Sequence, residues 1–120
     1  MKSAIAAAAY RSGETLYDEQ ADQTYDYTRK EGVAHSEIMV PDNAPAWVTD
    51  LSRQALWNMV EANEKRKDAQ LARDVVVSLP RELNHEQQIA LVREFVREHF
   101  TEKGMIADIA IHDKEAADGG

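Results

Sequence analysis

A chain of 120 residues suits one domain, and 43% hydrophobic with 30% charged residues is the composition of a folded domain, not of a disordered segment. There is no cysteine, so a disulfide frame and a thiolate metal site are both excluded. The formal net charge of −8 argues against a uniformly basic nucleic-acid binder, and no apolar run approaches the roughly 18 residues of a membrane span.

Ser3 is a good N-cap for the alanine-rich run Ala4 to Arg11, and Gly13 can close that helix in the left-handed conformation, with Tyr10 in its last turn. Residues 20–30 are polar with Tyr25 and Tyr27 alternating, the pattern of a strand or hairpin arm. From Val33 to Val40 a strand is expected, ended by Pro41. Ala34, Ser36, Ile38 and Val40 lie on one face and Val33, His35, Glu37 and Met39 on the other. Pro45 opens a short helix carrying Trp47, and a longer helix is expected from Ser52 to Arg66. In that helix Leu56, Met59, Val60 and Asn63 keep helical spacing and Glu61 pairs with Lys65.

The stretch Ala72–Leu79 is the best strand, with Val75, Val77 and Leu79 opposite Asp74, Val76 and Ser78. Asn84 with Gln87 three residues on forms a capping box for a helix to Lys103, whose apolar stripe is Ile89, Val92, Phe95, Val96 and Phe100, and Gly104 ends it. A last strand, 105–112, sets Met105, Ala107, Ile109 and Ile111 against Asp108, Ala110 and His112, and residues 114–120 are polar and Gly-ended, as in a loop. The chain shows no internal repeat. Strands with one apolar and one mixed face, beside amphipathic helices, predict an α+β domain: an antiparallel sheet with helices packed on one face. The other face, bearing Asp74, Asp108 and His112, would be open for chemistry.

No hydrolase elbow, phosphate loop or HExxH motif occurs. The candidates left are Tyr10, Tyr25, Tyr27, His35, His112, Asp74 and Asp108. Each has an ordinary explanation. A tyrosine at a helix end packs half-buried, a histidine at a strand end is commonly a satisfied edge residue, and Lys65-Arg66-Lys67 reads as a solvated helix end. His35, His85, His99 and His112 have no metal-ligand spacing of their own. On residue types alone the chain is an α+β domain without an assigned chemistry.

The order of segments adds to this. Ser3-Ala4-Ile5-Ala6-Ala7-Ala8-Ala9-Tyr10-Arg11-Ser12-Gly13 resembles the opening motif of MobA/MobL-type mobilisation relaxases, the MOBQ group of the HUH enzymes. So do Tyr25-Asp26-Tyr27-Thr28-Arg29-Lys30, His35-Ser36-Glu37-Ile38, Trp57-Asn58 with Glu61 to Lys67, Ala72-Arg73-Asp74 through Ser78-Leu79-Pro80-Arg81-Glu82-Leu83, and Ala110-Ile111-His112-Asp113. The resemblance runs through nearly the whole chain, in order.

It implies a bacterial cytoplasmic enzyme that nicks one DNA strand at a plasmid transfer origin during conjugation, with Tyr10 as nucleophile, left attached to the 5′ phosphate. It also implies a divalent metal, Mg²⁺ or Mn²⁺, held by His112 and by a His-hydrophobe-His pair further on. Asp74 is the candidate acceptor for the phenol proton. Single-stranded DNA would lie against Arg11, Tyr25, Tyr27, Arg29, Lys30 and Arg73, with other relaxosome proteins as partners. On this reading residues 1–113 are a partial relaxase catalytic domain and 114–120 a loop or disordered tail. The chain starts after the family's first strand and stops before the paired histidines, so it is expected to bind metal poorly and to be inactive by itself. The competing expectations are a non-catalytic DNA-binding or interaction module of the same fold, and an acidic structural domain with no nucleic-acid role.

Overall fold

A computed structural model describes residues 3–63, 72–78 and 82–112. The first helix, α1 (Ala4–Ser12), begins as its sequence dictates. The Ser3 Oγ accepts from the backbone N–H groups of Ile5 and Ala6, and Gly13 closes the helix at φ +72°. The same Ser3 hydroxyl donates to Asp18 Oδ2 at 2.6 Å. This puts a carboxylate one hydroxyl away from the positive end of the helix.

Asp18 ends β1 (Thr15–Asp18), which pairs antiparallel with β2 (Gln23–Asp26), Leu16 opposite Tyr25. The hairpin is one strand larger than the polar 20–30 segment suggested. β1 is only four residues long, with buried Leu16 and Asp18 alternating with other positions. Its outer edge is satisfied by side chains of α3 (Arg53–Ala62). Gln54 accepts from the Tyr17 N–H at 2.8 Å, and Asn58 donates to the Tyr17 carbonyl at 2.7 Å and accepts from the Glu19 N–H at 2.8 Å. Two amides thus pair a strand edge that would otherwise be open. A short helix, α2 (Ala46–Thr49), leads into α3 and buries Val48, while Trp47 is exposed. The expected Glu61–Lys65 pair and the Lys65-Arg66-Lys67 end lie outside the described residues.

The main sheet has the order β3-β5-β4, from β3 (Val33–Met39), β4 (Ala72–Val77) and β5 (Ile106–His112). The pair β3–β5 is antiparallel, with a bulge between Val33 and His35, and β4–β5 is parallel. The parallel pair follows from connectivity: α4 (His85–His99), opened by the Asn84–Gln87 capping box, carries the chain back to the starting edge. Strand periodicity cannot distinguish these pairings, because both expose the same alternation.

Each face of β5 meets helices. On one side Ala107, Ile109 and Ile111 pack with Val75, Val92 and Val96 under α4. On the other side Ile106 joins Ile5, Ala8, Ala9, Leu16, Leu56 and Trp57 from α1, β1 and α3. The α+β class holds, but the face expected to be open is covered. Asp108 lies there and is 3% exposed. The cover follows from Asp108 itself, whose charge draws Arg53 and Trp57 of α3 onto the strand. Phe95, placed in the buried stripe by periodicity, is exposed, as is Leu91; Phe95 packs on His99, with ring centroids 4.4 Å apart.

The Asp18 carboxyl is held below the ordinary carboxylate range, first by the Ser3 hydroxyl, against the opposing effect of burial, with the N–H groups of Ala21 and Gln20 assisting. A depressed carboxyl stabilises the fold above its unfolded value of about 4, and that contribution disappears as pH falls through the lower folded value. The stability difference between wild type and Asp18→Asn, measured by urea unfolding, is therefore expected to be constant near neutrality and to shrink below about pH 4. A difference that persists unchanged to pH 2 would contradict the assignment.

Candidate functional site

The last carbonyls of a helix have no partner within it, and at α1 they collect side chains from distant parts of the chain. The Ala9 carbonyl accepts from the N–H groups of Gly13 and Glu14. The Tyr10 carbonyl accepts from Lys30 Nζ at 2.8 Å. The Arg11 carbonyl lies 3.1 Å from His112 Nε2. A carbonyl can only accept, so in this contact Nε2 is the donor. Cationic or N–H-bearing side chains suit the negative end of the helix dipole. The last turn of α1 therefore holds Lys30 and His112 on the carbonyls of two consecutive residues, Tyr10 and Arg11.

Tyr10 is 54% exposed. The Lys30 ammonium sits 3.5 Å from the centre of its ring, and Tyr27 meets the ring edge-on at 5.3 Å and 86°. Burial holds the Lys30 ammonium below its ordinary range. Ser3, Ala6, Ala7, Tyr10, Arg11, Tyr25 and Tyr27 line an open cleft beside this ring. The small alanines, one and nearly one turn before Tyr10, line it together with the three tyrosines.

Arg11 turns the other way, into the layer between α1, α3 and the sheet. Its guanidinium lies 5.3 Å from the centre of the Trp57 ring, Nη1 is 3.5 Å from Asp74 and Nη2 is 3.9 Å from Asp108. Asp108 itself accepts from Arg53 Nε at 2.9 Å, from Arg53 Nη2 at 2.9 Å and from Trp57 Nε1 at 2.7 Å. Glu14 takes the remaining end of Arg53 at 2.6 Å. Burial works against the Arg53 charge, but hydrogen bonds and charge from Asp108, then Glu14, outweigh it and raise its pKa. In parallel register Asp74 and Asp108 are direct neighbours, so two carboxylates and two guanidiniums alternate across one face.

The structure thus gathers Tyr10, Arg11, Tyr27, Lys30, Asp74 and His112 around the end of α1. Tyr25 is half-buried against the α1 core, and Arg29 and Arg73 are exposed. The Arg11 side chain is only 13% exposed and faces carboxylates, so it is not presented outward as a phosphate contact would be. Residue patterns gave no notice of the Arg53–Asp108–Trp57 cluster. Its one local sign is the Arg53/Trp57 spacing of four, which places a guanidinium and an indole N–H on the same helix face.

Among the described residues no group of three His, Cys, Asp or Glu side chains is placed to hold a metal ion. His112 offers one nitrogen, and a divalent ion needs several ligands. The described residues do not by themselves fit such an ion.

Over residues 2–119 the chain matches the profile of the MobA/MobL family. It is 48% identical over 120 aligned residues to a conjugal transfer protein TraA of Agrobacterium fabrum, covering 93% of this chain and 11% of that protein. It is 44% identical over 111 residues to a mobilization protein MobL of Acidithiobacillus ferridurans, covering 92% of this chain and 28% of that one. It also superposes, at a TM-score of 0.72 and 32% identity, on a chain solved under the heading "Molecular Basis of Vancomycin Resistance Transfer in Staphylococcus aureus", covering 93% of this chain and 56% of that chain. The chain spans about a tenth of the TraA relative it matches.

With a single imidazole in place, the 120-residue chain is expected to bind Mn²⁺ or Mg²⁺ weakly or not at all. Titration calorimetry checks this. Micromolar binding that His112→Ala abolishes would show that the ligand set is complete.

Proposed function

This chain belongs to the MobA/MobL family, and we propose that it is the strand-cleaving core of a relaxase that acts at a plasmid transfer origin. One observation carries the proposal: Tyr10 is exposed at the end of α1, and the carbonyl of the next residue, Arg11, lies 3.1 Å from His112 Nε2, so the helix end that presents the tyrosine is tied to the imidazole. A nucleophile needs an open approach, and Tyr10 stands at the rim of a cleft walled by aromatic rings. Single-stranded DNA suits such walls, because every base has a face that can stack on tyrosine.

In the proposed reaction the Tyr10 hydroxyl oxygen forms a bond to phosphorus, and the bond from phosphorus to the 3′ oxygen breaks. The protein is left on the 5′ phosphate. Asp74, ion-paired to the arginine that follows Tyr10, is the proposed acceptor of the phenol proton. The phosphotyrosine bond conserves the cleaved linkage, so the same site can reseal the strand. Mg²⁺ or Mn²⁺, with His112 as one ligand and the rest supplied from outside the described residues, would offset the phosphate charge. Tyr25, Tyr27, Arg29 and Arg73 are proposed as strand contacts. Residues 1–113 would be part of the catalytic domain, with 114–120 outside it, working in the bacterial cytoplasm with other relaxosome proteins. No helix among the described residues is long and apolar enough to cross a membrane.

The test is nicking of a supercoiled plasmid bearing the cognate origin by the protein as its gene encodes it. Wild type should relax the plasmid and leave a DNA adduct on the Tyr10 peptide. Tyr10→Phe should lose both while still binding single strands with an affinity that falls steeply as salt rises. Undiminished nicking by Tyr10→Phe would remove the proposed nucleophile.

A further inference from the structure

Lys30 looks, by position, like one more basic contact for a DNA backbone. Its surroundings give it another task. The ammonium donates to the Tyr10 carbonyl at 2.8 Å and lies 3.5 Å from the centre of the Tyr10 ring. Both contacts go to one residue, so the lysine grips the nucleophile's own backbone and ring together. The turn that presents it is fixed separately: the Lys30 N–H donates to the Tyr27 carbonyl at 2.9 Å, and the Tyr27 N–H donates to the Glu14 carbonyl at 3.2 Å. Tyr27 then closes the ring from its edge at 5.3 Å.

A cation over the face of an aromatic ring is attracted to it, and more strongly as negative charge grows on the ring. A phenol attacking phosphorus passes through such charge. We propose that Lys30 is a positioning residue for Tyr10, holding the ring in one rotamer and favouring negative charge on its oxygen. This rests on Tyr10 being the nucleophile. As the Tyr10 oxygen bonds to phosphorus, its proton passes to an acceptor, and the electron pair of the breaking bond leaves on the 3′ oxygen. Lys30 keeps its protons throughout and acts by charge alone.

The test uses tetranitromethane, which nitrates the ionised phenol, on the 120-residue chain, with nitration of the Tyr10 and Tyr17 peptides followed by mass spectrometry. Circular dichroism checks that each variant is folded. Loss of the charge and loss of packing give opposite signs here. Lys30→Met should slow Tyr10 nitration roughly two- to fivefold, the rate equivalent of an exposed cation–π contact, with Tyr17 unchanged. A merely structural cap, once lost, would loosen the ring and speed its nitration. Lys30→Arg should stay close to wild type. An unchanged or faster rate in Lys30→Met, or an equal slowing in Lys30→Met and Lys30→Arg, overturns the proposal. The readout needs no nicking, so it stands apart from the Tyr10→Phe assay. Slowed nitration together with undiminished nicking by Tyr10→Phe would mean that the clamp exists but the nucleophile lies elsewhere.

Discussion

A carboxylate buried on the central strand decides how the helices lie. Asp108 is 3% exposed and has its charge met by Arg53 and Trp57 of α3, with the Arg11 guanidinium of α1 at 3.9 Å. An unpaired charge at such a position would be very costly, so α3 must dock with these two side chains over β5. Once α3 is placed, its Gln54 and Asn58 amides fix the edge of β1, and α1 fills the space between hairpin and sheet around Ile5, Ala8 and Ala9. On the opposite face Val75, Val92, Val96 and Ile109 pack by apolar burial, and Arg93 of α4 reaches Glu37 of β3 at 2.8 Å.

The consequences reach the site through α1. Because Arg11 is drawn inward between Asp74 and Asp108, the preceding residue, Tyr10, is turned outward. Because the helix ends there at Gly13, its spare carbonyls face His112 from β5 and Lys30 from the turn after β2. The grouping of a phenol, an imidazole and an ammonium is thus a by-product of ordinary helix termination. The overall acidity of the chain does not oppose it. Several carboxylates are spent inside the fold, on Arg53, on Arg11 and on the Ser3 hydroxyl.

Much of this was legible beforehand where the cause is local. Ser3, Gly13 and the Asn84–Gln87 box marked helix ends that the structure keeps, and alternation assigned the faces of β4, β5 and the later part of β3, while the bulge between Val33 and His35 moves Val33 to the face opposite His35. What escaped depends on partners far apart in sequence. The β1 strand is four residues long and owes its edge to amides about 40 positions away. The covered sheet face depends on Arg53 and Asp108, 55 residues apart, which no periodicity connects. For the candidate site, the motif around Tyr10 singled that residue out for the proposal, whereas the Lys30 contact, 20 residues on, has no sequence signature. Phe95 has the helical spacing of a core residue and yet is exposed, its ring set beside those of His99 and Phe100.

The account depends on the Asp108 cluster holding α1 and α3 to the sheet, and Asp108→Ala tests it most directly, with urea unfolding and the ring resonances of Tyr10 and His112 read on the same samples. Removing one partner of a buried ion pair costs about 3–5 kcal/mol, so the variant should lose stability on that scale, and both rings should shift because the turn that unites them is released. A loss below about 1 kcal/mol, the level of an exposed pair, with both ring signals unmoved, would show that the helices are held by something else.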